Sequence, residues 1–224
     1  MEQLVRLKDR ITRAAKASGR PEDAVTLLAV SKKQPLDRIK AAIAAGQRRF
    51  GENYVDEALM KMDVLSDPAL EWHFIGPIQS NKTRHLAERF DWVQTVDRVK
   101  IIRRLNAQRP TGSAPLNVLL QVNLDAEPQK AGCLPDQLEA LAAAVEEAPN
   151  LRLRGLMAIP APRSDPDEQK KVFAELKALH DRLADRYAGM DTLSAGMSGD
   201  LEAAIAAGST MVRIGTDLFG ARPD

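Results

Sequence analysis

Residues 26–53 read TLLAVSKKQPLDRIKAAIAAGQRRFGEN. A short apolar, β-branched run (TLLAVSK) gives way to a helix-like segment (LDRIKAAIAAG) that stops at Gly46, and a second strand pattern (RRFGEN) follows at once. Strand, helix and strand in such quick succession describe a βαβ unit, whose two strands lie parallel in one sheet. The alternation then continues to the end of the chain. Strand patterns recur at EWHFIG, DWVQTV, LNVLLQVN, LRLRGLMAI, TLSAGMS and TMVRIGT, which brings the total to eight, the number that closes a (β/α)8 TIM barrel.

Helix-like segments fill the intervals: SNKTRHLAERF with Ser80 as its cap, DRVKIIRRLNAQ starting at Asp97, LPDQLEALAAAVEEA, DPDEQKKVFAELKALHDRLADRY, and GDLEAAIAAG stopping at Gly208. The hexapeptide AAIAAG occurs at 41–46 and again at 203–208, each time ahead of a strand that ends in a glycine turn (FGEN, RIGT). Small residues allow a helix to approach the sheet closely, and the closing glycine suits a left-handed position just past the helix end. Ahead of the first strand, MEQLVRLKDRITRAAKASG has the pattern of an amphipathic helix. The expectation is an α/β protein, residues 1–224 forming one barrel domain with an extra N-terminal helix.

Composition narrows the function. Lys and Arg number 32 against 31 Asp and Glu, a net charge of +1, which gives no electrostatic reason to expect nucleic acid or an anionic membrane as partner. Aromatic residues make up 4%, too few to suggest stacking platforms for single-stranded nucleic acid. No apolar run approaches the ~20 residues needed to span a bilayer, and the N-terminus lacks the pattern of a signal peptide, so a cytoplasmic protein is expected. The single cysteine, Cys133, fits a reducing compartment, and His73, His85 and His180 lack the spacing of metal ligands.

In a (β/α)8 barrel the strand C-termini and the loops after them form the functional face. The polar or potentially functional residues there are Lys32, Lys33, Glu52, Asn53, His73, Gln121, Asn123, Met157, Ser198, Arg213 and Thr216. A lysine in a desolvated barrel mouth can condense with an aldehyde. Side chains alternate along a strand, so Lys32 and Lys33 face opposite ways if the strand extends to them, and parity alone does not say which enters the lumen. In GMSGDLEAAIAAG, Ser198 is placed to cap a helix whose free amides attract an anion, and Gly199 lets a ligand approach the backbone. In MVRIGT, Gly215 and Thr216 offer backbone N–H groups and a hydroxyl to a phosphate. Arg213, which can only donate hydrogen bonds, suits a pyridine nitrogen kept as an acceptor. Strands seven and eight neighbour strand one once a barrel closes, so a single ligand with a phosphate and an aldehyde would satisfy both ends.

The motifs LLAVSKKQP, FGENYVDEAL, EWHFIGPIQSNK, GLMAIP, LSAGMSGDLEAAIAAGSTMVRIGT and LFGAR, in that order, resemble the pyridoxal phosphate homeostasis proteins, a family related to the N-terminal barrel of alanine racemase. The resemblance implies pyridoxal 5′-phosphate (PLP) held as an aldimine on Lys32, with phosphate contacts at Ser198, Gly215 and Thr216 and the pyridine nitrogen at Arg213. It also implies Asn53 and Met157 as residues lining the ring, with His73 packing behind them. The implied function is PLP binding and vitamin B6 homeostasis, with delivery to apo forms of PLP-dependent enzymes and effects on amino-acid balance. Robust catalysis is not expected. Alanine racemase takes a second acid/base, a tyrosine, from a further domain of its partner subunit, and no counterpart follows this barrel; a monomer is expected for the same reason. Of the two tyrosines, Tyr187 precedes a strand and Tyr54 follows one. Two other readings use the same lysine: a small PLP-dependent amino-acid racemase, and a Schiff-base aldolase acting on a sugar phosphate.

Overall fold

The strand patterns become eight parallel strands in the computed structural model, which describes residues 2–220. They are β1 (Thr26–Val30), β2 (Arg49–Glu52), β3 (Glu71–Phe74), β4 (Trp92–Val96), β5 (Leu116–Val122), β6 (Leu151–Ala158), β7 (Thr192–Ser194) and β8 (Met211–Ile214). Each pairs with the next in chain order, and β8 returns to β1 with Leu28 opposite Arg213 and Ala29 opposite Ile214, closing the barrel. Met1 and residues 221–224, which include the last two residues of LFGAR, lie outside the described residues.

Nine α-helices accompany these strands among the described residues: α1 (Glu2–Ala17), α2 (Leu36–Ala44), α3 (Val55–Val64), α4 (Thr83–Arg89), α5 (Val99–Gln108), α6 (Leu138–Glu146), α7 (Pro166–Ala184), α8 (Leu201–Ala206) and α9 (Thr216–Phe219). Helices α3 and α9 are absent from the pattern read in the sequence. The first begins without a side-chain cap after Tyr54, and the second is a single turn. Three proposed helix starts are also corrected. Ser80 lies inside a 3₁₀ turn that precedes α4, α5 is entered at Arg98 rather than Asp97, and Asp200 stands directly before α8. The Asp200 carboxylate instead accepts from the Met197 amide, so Ser198 sits within the turn it braces.

The two AAIAAG segments end their helices alike. In one, Gly46 donates to Ile43 O and Gln47 to Ala42 O; in the other, Gly208 donates to Ile205 O and Ser209 to Ala204 O. Gly46 and Gly208 have φ of 89° and 108°, the left-handed region that disfavours a Cβ. The shared sequence therefore encodes a shared helix stop that turns the chain back into the barrel wall.

Strand alternation separates two cores. Leu27 and Ala29 of β1 join the large helix-facing core with Ile39, Phe50 and Trp72, whereas Leu28 packs with Ile75, Met211 and Val30 inside the lumen. Each fully buried leucine or phenylalanine contributes about 1.5–3 kcal/mol relative to exposure. Parity in β1 is thus fixed by packing, with Leu28 and Val30 pointing inward. Cys133 is buried where its segment bridges Val122, and burial pushes its thiol up to about 12, away from reactivity at neutral pH.

Candidate functional site

A cavity of about 300 Å³ opens at the C-terminal end of the strands, at the lower end of the range for small-molecule sites. Its wall contains Lys32, Asn53, Ser198, Arg213, Gly215 and Thr216, together with Gly199 and the apolar Val30, Ile75, Ile159 and Met197. A larger depression of about 370 Å³ lies at the opposite rim, where α1 meets the start of β1; its Lys8, Glu22 and Arg48 bring no comparable set of groups together.

Strand β1 ends at Val30, two residues before the proposed lysine, and Lys32 and Lys33 occupy a turn. Lys32 is half-buried in the cavity wall. Lys33 has φ 57°, unusual for a residue with a side chain, and its ammonium lies 6.0 Å from the centroid of the Tyr54 ring, outside the cavity wall. The separation of the two lysines therefore comes from a left-handed turn rather than from strand alternation.

A buried ionic cluster braces that turn from behind β2. Lys61 Nζ, on α3, donates to Ser31 O at 2.6 Å, Glu52 Oε1 at 2.7 Å and Glu57 Oε1 at 2.6 Å. Ser31 Oγ donates to the same Glu52 oxygen at 2.6 Å, and Glu57 Oε1 accepts from the Lys33 amide at 2.6 Å. Burial raises the Glu52 pKa, with Lys61 and Ser31 opposing the rise. Lys61 was not singled out in the sequence; its spacing of four from Glu57 within an otherwise apolar helix stretch is the signal that could have found it.

The other side of the mouth is built differently. Arg213 is buried, with Nη1 donating to Ser194 Oγ and Nη2 to Ala158 O, each at 2.8 Å. No ion pair involves it among the described residues, and burial pushes its pKa down to about 10. Gly215 packs so closely on the end of β1 that an added Cβ would come within 3.3 Å of Val30 O, which brings the RIGT turn beside Lys32. Thr216 opens α9, and a Cβ at Gly199 would meet nothing, so the backbone there borders open space. Asn53 Oδ1 is buried without a hydrogen-bond partner, and the closeness of Gly76 to the Asn53 backbone, only 2.2 Å from an added Cβ to the carbonyl oxygen, holds that residue in place.

Met157 is not in the cavity wall. It is fully buried in the lumen, in one cluster with Trp92 and Leu119. His73 is also interior, stacked on Trp92 with centroids 5.1 Å apart. Lys82 pairs with Asp56 and Lys130 with Glu127, while Tyr187 donates to Glu139 away from the mouth. Gln94 and Ser194 were likewise missed in the sequence, although a glutamine amid the apolar DWVQTV was a visible anomaly.

An amine, a buried guanidinium without a counter-ion and an open glycine-bordered turn fit a ligand that carries a carbonyl, a hydrogen-bond acceptor and an anionic group. Among the described residues, no group of three His, Cys, Asp or Glu side chains could hold a metal ion, and no helix is long and apolar enough to cross a membrane. Fold and site together define a (β/α)8 barrel of the alanine racemase N-terminal domain type, whose family model matches residues 3–223. Within that class the chain belongs to the pyridoxal phosphate homeostasis protein family. It is 58% identical to the Pseudomonas aeruginosa member over 99% of this chain and 95% of the relative, and 55% identical to that of Escherichia coli K12 over 98% and 95%. Among solved structures, PipY of Synechococcus elongatus with PLP bound superposes with a TM-score of 0.81 at 37% identity, covering 94% of this chain and all of that one.

Proposed function

We propose that this protein binds PLP at the barrel mouth and serves intracellular PLP homeostasis. The observation that carries the reading is the convergence of Lys32, Arg213 and the Ser198 and Gly215–Thr216 turns on one cavity; the PLP-bound PipY relative supports it. Lys32 would hold the aldehyde carbon through Nζ. Ser198, Gly215 and Thr216 would hold the phosphate, and Asn53 would flank the ring. Arg213 would donate to the ring nitrogen and keep it unprotonated. When bound, PLP supplies an electrophilic carbonyl conjugated to an electron-accepting ring.

The reading extends to storage and delivery of PLP to apo-enzymes by a monomer rather than turnover of an amino acid. Tyr54, which follows β2 near the mouth, is half exposed, outside the cavity wall, with its ring centroid 6.0 Å from the Lys33 ammonium. Borohydride reduction of the PLP-loaded protein followed by peptide mapping tests the central claim. A reduced adduct on Lys32 is expected, together with loss of the visible absorbance in Lys32→Ala. An adduct on Lys33, or a protein that cannot be loaded, would refute it. Transfer of PLP to an apo-enzyme separated by a membrane permeable only to small molecules distinguishes direct from free delivery. Amino-acid racemisation at an ordinary enzymatic rate, lost in Lys32→Ala, would overturn the carrier reading.

A further inference from the structure

We infer that Ser194, Gln94 and His73 are positioning residues: they form a one-way chain of hydrogen bonds through the barrel lumen that fixes the orientation in which Arg213 meets the cavity. The inference rests on the reading of Arg213 as the partner of the ring nitrogen.

The direction of the chain follows from its two ends. A guanidinium only donates, so Ser194 Oγ accepts from Arg213 Nη1 at 2.8 Å and must send its own proton onward. That proton goes to Gln94 Oε1 at 2.7 Å. The amide is thereby oriented, with Nε2 facing His73 Nδ1 at 2.8 Å and Met211 Sδ at 3.2 Å. His73 Nδ1 must then be an acceptor, which leaves Nε2 to carry the hydrogen and donate to Glu71 Oε1 at 2.7 Å. The Glu71 carboxylate, which only accepts when ionised, also receives Arg49 Nε at 3.0 Å at the opposite rim.

Reversal would require a guanidinium that accepts or an ionised carboxylate that donates. Ser194, Gln94 and His73 are each fully buried, so bulk solvent does not compete for these hydrogen bonds. His73 is stacked on Trp92 with an interplanar angle of 11°, which restricts its ring. Burial lowers the His73 pKa against the opposing influence of Glu71 and Asp91, in keeping with the neutral ring that the chain requires; Arg49 acts in the same direction as burial. Five side chains from β3, β4, β7 and β8 thus share one proton arrangement. With Nη1 committed to Ser194 and Nη2 to Ala158 O, rotation of the guanidinium would break contacts to two strands at once.

The test combines ¹⁵N NMR of the histidine and arginine side chains in the apoprotein with PLP release from the loaded protein. In wild type, His73 should carry its proton on Nε2 alone, and the Arg213 Nη signals should show slow rotation. Ser194→Ala and Gln94→Met should each speed that rotation, accelerate PLP release by about tenfold, and shift the absorption band of the bound cofactor. Gln94→Glu, nearly isosteric and lacking the amide donor, should alter the His73 Nδ1 signal and carries the test if Gln94→Met fails to fold. A proton on Nδ1 in wild type, or unchanged Arg213 signals in both Ser194→Ala and Gln94→Met, would overturn the inference. So would variants that lose thermal stability while keeping the wild-type absorption band and release rate. Failure of the wild type to load PLP would refute the proposed function instead, and the apoprotein spectra would still decide whether the chain orients Arg213.

Discussion

Lys61 and Arg213 are both buried cations beneath the barrel mouth, one behind β2 and the other in the lumen on β8. Lys61 is 1% exposed and Arg213 4%, yet their surroundings are opposite. Lys61 meets two carboxylates and a carbonyl. Arg213 meets a hydroxyl and a carbonyl, and Asp200 acts on it only as a favourable charge without an ion pair. Burying a cation without a counter-ion is costly, and it is tolerated where something else supplies the missing acceptor. The difference separates a brace that is complete within the fold from a cation whose proposed partner, the ring nitrogen of PLP, comes from outside it.

The largest effect should come from breaking the brace. Lys61→Met removes the cation that opposes the burial-driven rise of the Glu52 pKa and orphans the acceptors it serves, and is expected to cost about 3–5 kcal/mol in urea denaturation. Adding Glu52→Gln should recover part of that loss, and a single-variant loss below about 1 kcal/mol would erase the contrast. Arg213→Met removes a desolvated charge but orphans two acceptors, so a smaller stability cost of about 1–2 kcal/mol is expected. Its PLP dissociation constant, measured by equilibrium titration, should nevertheless rise at least about tenfold.

The two sides should also respond to pH with opposite sign. Burial raises the folded pKa of Glu52, so its contribution to stability is fully present below its ordinary value of 4.5 and is lost as pH rises through the raised one. The folded pKa of His73 is lowered, so its contribution is present above 6.5 and is lost as pH falls through the depressed one. Stability measured across pH 4–8 should lose the first slope in Glu52→Gln and the second in His73→Asn. The smallest effect concerns the turn between the two sides. Lys33→Gly suits φ 57° and should change stability by less than about 1 kcal/mol, whereas the β-branched Lys33→Val should cost about 1–2 kcal/mol.

Much of this architecture was legible in the sequence because it is local. Eight strand patterns and two AAIAAG stops report period and turn chemistry, which the chain carries residue by residue. The cavity set could also be read, since Lys32, Asn53, Ser198, Arg213, Gly215 and Thr216 all stand at or just after strand ends. Met157 could not be placed by that rule, because position along a strand does not give depth in the lumen. Most of the Lys61 cluster and of the Gln94–His73 chain was hidden for another reason: apart from the Lys61–Glu57 pair on α3 and the His73–Glu71 pair on β3, the partners lie on different elements that only tertiary packing brings together. Lys33 shows a limit of parity itself, since a left-handed turn replaces alternation once the strand has ended.

Arg10 of α1 reaches the other end of the sequence, donating to Ser198 O at 3.0 Å and to the Glu202 and Asp217 carboxylates. The first helix thus fastens the turn proposed to hold the phosphate. During synthesis Lys32 emerges early, while Ser198, Arg213 and Gly215 come near the end, and β1 has no β8 to close against until then. A ribosome-bound chain carries Lys32 without the turns that share its cavity, so under the proposed function the competence to retain an aldehyde should arise abruptly, at the moment the two ends of the protein meet.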